Sequence, residues 1–103
     1  MQNTRYKCGG VDLTEHDKKR LINNMVSNLP ILRKKLDITQ DELANLIGVS
    51  RSTIMAVENS KRDMTWNMFL SLILIFTKNK ETDKLLNVLE IYTDELNSFI
   101  KCR

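Results

Sequence analysis

Apolar residues recur along most of this chain at helical spacing. Leu21, Ile22, Met25, Val26 and Leu29 fall at i, i+1, i+4, i+5 and i+8, one stripe of a helix. Thr14, with Asp17 three residues on, predicts its start. Pro30 interrupts the stripe, and proline suits a first turn better than a helix interior, so a second piece is predicted to begin there with Ile31, Leu32 and Leu36 on its apolar face. On this reading Arg33, Lys34 and Lys35 lie on a solvated face.

Thr39-Gln40-Asp41-Glu42 has the spacing of a capping box, in which the threonine hydroxyl and the glutamate carboxylate each satisfy a free amide. Leu43, Leu46 and Ile47 form the inward stripe behind it, and Gly48 is placed to end that helix with a positive φ. Ser50 restarts a helix two residues later, with Ile54 and Val57 inward and Asn59-Ser60 as its stop. Lys61-Arg62-Asp63 reads as a charged loop. Thr65 caps a fourth helix to about Thr77, apolar on most sides and therefore expected at the centre, with Trp66 and Phe69 as core anchors. Residues 78–81 read as a polar connector. Leu85, Leu86 and Leu89 mark a further helix, and Thr93 can cap one carrying Leu96, Phe99 and Ile100. The pattern leaves open whether residues 83–102 form one helix or two. Residues 1–12, with Cys8-Gly9-Gly10, read as a flexible arm.

Composition agrees with one small helical domain. The chain has 103 residues, 42% apolar and 28% charged, with three glycines and one proline. That is too short for a barrel or dinucleotide-binding enzyme and too poor in turn residues for a β-sandwich. The densest apolar run, residues 68–76, falls far short of the ~20 residues a bilayer needs. No apolar export signal is visible at the N-terminus, so a cytoplasmic location is expected. Charge is uneven: residues 1–62 hold 11 Lys/Arg against 7 Asp/Glu, and residues 63–103 hold 5 against 6. A basic excess in the first part of the chain fits an anionic partner there.

Chemistry-bearing residues are sparse. His16, Cys8 and Cys102 match no zinc spacing, and no nucleophile–base grouping or phosphate-cradling glycine loop occurs, so no metal, no cofactor and no enzyme activity are expected.

The informative segment is TQDELANLIGVSRSTIMAVENSKR, residues 39–62: a short capped helix, a glycine turn, and a second helix with short or basic outer residues. A helix presented in this way fits the major groove of B-DNA. The span from about Leu29 to Lys78 resembles the Cro/phage-repressor (XRE) helix-turn-helix family, with Ala44, Gly48, Ile54, Glu58 and Asn59 at that family's typical positions. The resemblance implies an all-α, compact, five- to six-helix, lambda-repressor-like domain that binds double-stranded DNA as a homodimer on a palindromic operator. The expected layout is an arm at 1–12, a DNA-binding domain at 13–78 and a C-terminal helical extension at 79–103 for dimerisation.

By the same resemblance, Ser50, Arg51, Ser52, Thr53, Met55 and Ala56 occupy the base-facing positions of a recognition helix over residues 50–59. Gln40, Asn59, Lys61 and Arg62 match phosphate-contacting positions, with Gln40 also bracing the recognition helix. Read from chemistry alone, Arg51 is the best base reader, since a guanidinium can bond guanine O6 and N7 together. Met55 and Ala56 offer only apolar contact, so DNA shape carries more of the readout there. Glu58 is expected to be structural, paired with an arginine. Leu96, Phe99 and Ile100 are expected to form the dimer surface. The rival reading is an antitoxin or other protein-interaction module using that C-terminal apolar helix.

Overall fold

The computed structural model describes residues 13–101. Six helices follow in order: α1 (Glu15–Lys35), α2 (Gln40–Ile47), α3 (Arg51–Glu58), α4 (Trp66–Thr77), α5 (Lys80–Val88) and α6 (Asp94–Ile100), with no strand among the described residues. No helix there is long and apolar enough to cross a membrane. The predicted arm at 1–12, with Cys8, and the Cys102 thiol lie outside the described residues.

Local chemistry sets most boundaries. Thr14 and Thr39 each close a full capping box, with Asp17 and Glu42 returning the bond to the cap amide. Ser50, Thr65 and Thr93 each accept a bond from the third residue of the helix they start. Such caps are each worth about 1 kcal/mol. The predicted break at Pro30 does not occur, and α1 runs through it. Proline has no N–H, so it gives the Val26 carbonyl no bond. Leu29 and Leu32, both fully buried on either side of Pro30, hold the helix in register against the core. Core burial offsets the backbone defect.

Three helices end in a left-handed residue that is not glycine. Asp37, Ser60 and Glu90 have φ of 56°, 59° and 57°, each one residue past its C-cap. The amides two residues beyond those caps, of Ile38, Lys61 and Ile91, return to the Arg33, Ala56 and Leu86 carbonyls at 3.3, 2.8 and 2.8 Å. This double-bonded C-terminal turn is what glycine usually supplies. The left-handed residue after α3 is thus Ser60, while Asn59 is the C-cap at φ −92°.

α4 supplies the centre of the core through Met68, Phe69, Leu72, Ile73 and Phe76. α1 packs against α3, α4 and α5, and α2 packs against α3 and α4. Residues 80–81, read as connector, already belong to α5, and a turn at Glu90 and Ile91 separates α5 from α6, which gives two helices after residue 79. Thr82 is the one buried polar residue among those described; its hydroxyl donates to the Phe76 carbonyl at 2.6 Å, tying α5 to the end of α4.

Candidate nucleic-acid interface

α3 is a short helix that three elements hold in place. Ile54 and Val57, both fully buried, face α1 and the core. α2 precedes it through a turn in which Gly48 (φ 78°) and Val49 both donate to the Ala44 carbonyl, at 2.9 and 3.0 Å. A β-carbon at Gly48 would meet nothing within 4 Å, so only its backbone conformation asks for glycine.

The third restraint is polar. Arg33 Nε and Nη2 donate to Glu58 Oε2 and Oε1 at 3.0 and 3.2 Å, and Arg33 Nη1 donates to the Ile38 carbonyl at 3.2 Å. Gln40 Nε2 donates to Glu58 Oε1 at 2.8 Å. The Arg33 and Glu58 side chains are only 16% and 6% exposed. Two parallel bonds fix direction as well as distance, so the end of α1, the start of α2 and the end of α3 are locked in one arrangement. Arg33 therefore does not share the solvated face expected for the run 33–35; only Lys34 and Lys35 are exposed. Glu58 is structural and paired with an arginine, in agreement with expectation, and Gln40 braces α3 through it.

The outer side of α3 carries the residues singled out from sequence. Ser50, Arg51 and Ser52 are exposed, and Thr53, Met55 and Ala56 are half-buried. Ser50 is a hub: its hydroxyl accepts from the Thr53 amide at 3.1 Å and lies 3.0 and 2.9 Å from the Ser52 and Thr53 hydroxyls. Arg62 Nη1 donates to Thr53 Oγ1 at 3.2 Å, which brings the loop cation over the N-terminal end of α3. The free amides of that end and the guanidinium give one positive region. Asn59 and Lys61 are exposed beside it. Arg51 and Gln40 line one concavity with Arg33, Thr39 and Asp41, so the starts of α2 and α3 open onto common space.

The C-terminal residues do not lie together on one free face. Leu96 is fully buried in the chain's own core. Phe99 is half-buried and packs on that core, with Lys18 Nζ 5.8 Å from its ring centroid, while Ile100 is exposed. The seven residues of α6 place Leu96 inward because α6 closes over the core. Trp66 stacks on buried Phe69 with centroids 4.9 Å apart, so both serve the core as expected. Among the described residues, no group of three or more His, Cys, Asp and Glu side chains is placed to hold a metal ion.

Sequence reasoning missed the full Arg33–Glu58–Gln40 network, although its signal was present. Arg33 follows Leu29 by four residues, Glu58 follows Ile54 by four, and Gln40 precedes Leu43 by three, so each lies on an inward stripe.

No curated protein and no solved structure matches the chain. Residues 31–65, roughly a third of its length, match the family model described as Helix-turn-helix. That span opens on the last turn of α1, contains α2, the Gly48 turn and α3, and closes on the cap of α4. The match marks this segment as a helix-turn-helix of the Cro/repressor (XRE) type, a DNA-binding motif.

Proposed function

We propose that the protein is a sequence-specific binder of double-stranded DNA that regulates transcription as a repressor, with α3 in the major groove. The observation that carries this reading is the division of labour on α3. Ile54 and Val57 are spent on the core and Glu58 on the Arg33 lock, while Ser50, Arg51 and Ser52 are left outward. A helix pinned this firmly can present side chains to base edges with little further loss of backbone entropy on docking. Arg51 reads a guanine, Ser52 and Thr53 bond base or phosphate, and Met55 and Ala56 touch thymine methyls. Gln40, Asn59, Lys61 and Arg62 grip phosphates on either side and set register.

A homodimer on a palindromic operator follows from the size of one module, since a single eight-residue helix reads only a few base pairs. Two copies would set their α3 helices about 34 Å apart on one face of the duplex. Phe99 and Ile100 are the dimer residues we retain, and buried Leu96 supports them from beneath. A cytoplasmic location goes with this role. The rival protein-interaction reading through the C-terminal stripe is weakened by the burial of Leu96.

Selection of bound duplexes from a random pool tests the proposal. A palindromic winner is expected, with log affinity falling against log salt at about −0.9 per neutralised phosphate. No enrichment, with only weak salt-sensitive binding, would contradict it.

A further inference from the structure

The described surface carries an apolar groove that neither the DNA face nor the C-terminal residues account for. Its floor is Leu36, Ile38, Leu46 and Leu74, where the end of α1, the outer side of α2 and the last turns of α4 meet. Leu46, expected inward from its spacing, instead lies on the outer side of α2, and it and Leu74 are each 60% exposed; Ile31, one turn before Lys35 on α1, is 51% exposed. Single exposed leucines are ordinary; here two line the same groove. The rim is basic: Lys35 and Lys78 stand on it against one carboxylate, Glu81. Neither lysine forms an ion pair among the described residues.

We propose that this groove docks an acidic amphipathic helix of a second protein, with leucine-type anchors on the floor and carboxylates against Lys35 and Lys78. Charge decides among the occupants. DNA would gain from the lysines but would bury no apolar surface against the leucines. A second copy in a symmetric contact sets each patch against itself, so lysines gather around a shared apolar floor with only two glutamates to offset them. An acidic helix satisfies both floor and rim, and an apolar helix face in a groove is a common recognition mode. None of the DNA-facing residues named above lines this groove, so the two partners can be held together.

The test uses the full chain and two synthetic helical peptides. Both carry leucines at i, i+3, i+4 and i+7; glutamates fill the remaining positions of one and lysines those of the other. NMR titration is expected to give saturable shifts at Leu36, Leu46 and Leu74 with the glutamate peptide, and an affinity that falls as salt rises. Leu46→Gln with Leu74→Gln should weaken that binding at least tenfold and leave DNA affinity unchanged. Because both leucines are exposed, the fold does not depend on them. Lys35→Glu with Lys78→Glu should reverse the preference toward the lysine peptide. Absence of groove shifts with either peptide, or equal binding of both, would overturn the proposal. Self-association of the free chain that Leu46→Gln and Leu74→Gln abolish would overturn it in favour of a second copy.

Discussion

Arg33 and Glu58, 25 residues apart, form a two-bond ion pair that fixes the end of α3 to the end of α1. The pair is nearly closed to water, and Gln40 takes the same carboxylate from a third element. Removing one partner therefore strands the other. Glu58→Ala leaves a guanidinium and an amide without their acceptor, at a cost of about 3–5 kcal/mol. Arg33→Met with Glu58→Leu should recover much of that loss, since a buried pair gains little over apolar packing. Urea denaturation of Arg33→Met, of Glu58→Leu and of the double variant measures the coupling. Simple additivity would show that the pair is not a unit.

Glu90→Gly should raise stability by about 0.5–1 kcal/mol. Glu90 holds a left-handed φ of 57° that an L side chain adopts at a cost, and glycine removes that cost at the price of a more flexible unfolded chain. Its carbonyl, which accepts from Asn24 Nδ2 at 3.0 Å, is retained. Gly48→Ala acts in the opposite sense: the site is open, so the loss is confined to the backbone, about 1 kcal/mol. Thermal melts of the two variants should move in opposite directions.

Pro30→Ala should stabilise α1. The substitution restores an amide that can bond the Val26 carbonyl and removes the ring from a helix interior. The gain is about 1 kcal/mol or more, less than the full helix penalty because proline also restricts the unfolded chain. A lower melting temperature for Pro30→Ala would mean that the proline ring contributes more by packing than it costs in backbone.

Acid should loosen the start of α1. The Asp17 carboxyl is held below its ordinary value by the bond from the Thr14 amide, then by the Thr14 hydroxyl and by nearby Arg20 and His16. A carboxyl lowered in the folded state contributes stability in full above its unfolded value, about 3.9. That contribution is lost as pH falls through the folded value. The melting-temperature difference between the native chain and Asp17→Asn should stay constant above about pH 5 and shrink below about pH 4. A difference unchanged down to pH 2 would show that charge at Asp17 does not matter.

Helix starts were legible in the sequence because threonine and serine caps are local chemistry: Thr14, Thr39, Ser50, Thr65 and Thr93 all cap as read. Helix stops were less so, since Asp37, Ser60 and Glu90 take the left-handed position that composition assigns to glycine. Pro30 misled because its local preference is overridden by Leu29 and Leu32, whose burial is a tertiary fact. At the candidate site, the spacing of Ile54 and Val57 left Arg51, Ser52, Met55 and Ala56 on other faces of α3, while the base-facing set itself came from the family resemblance. The polar lock behind it did not, because a charged residue on an apolar stripe signals burial only once its partner on another helix is known. Leu96 shows the same difficulty in reverse, as an apolar stripe does not say whether it faces its own core or a second copy.

The most direct test of the reading helix compares the sequences selected from a random duplex pool by the native chain and by Arg51→Ala. The native chain should yield a defined site containing a guanine that the variant no longer discriminates, a loss of about 1–3 kcal/mol at that position alone. Lys61→Ala with Arg62→Ala should weaken binding to all sequences and flatten the salt dependence. An unchanged consensus for Arg51→Ala, or no consensus for the native chain, would contradict the assignment of α3 as the element that reads DNA.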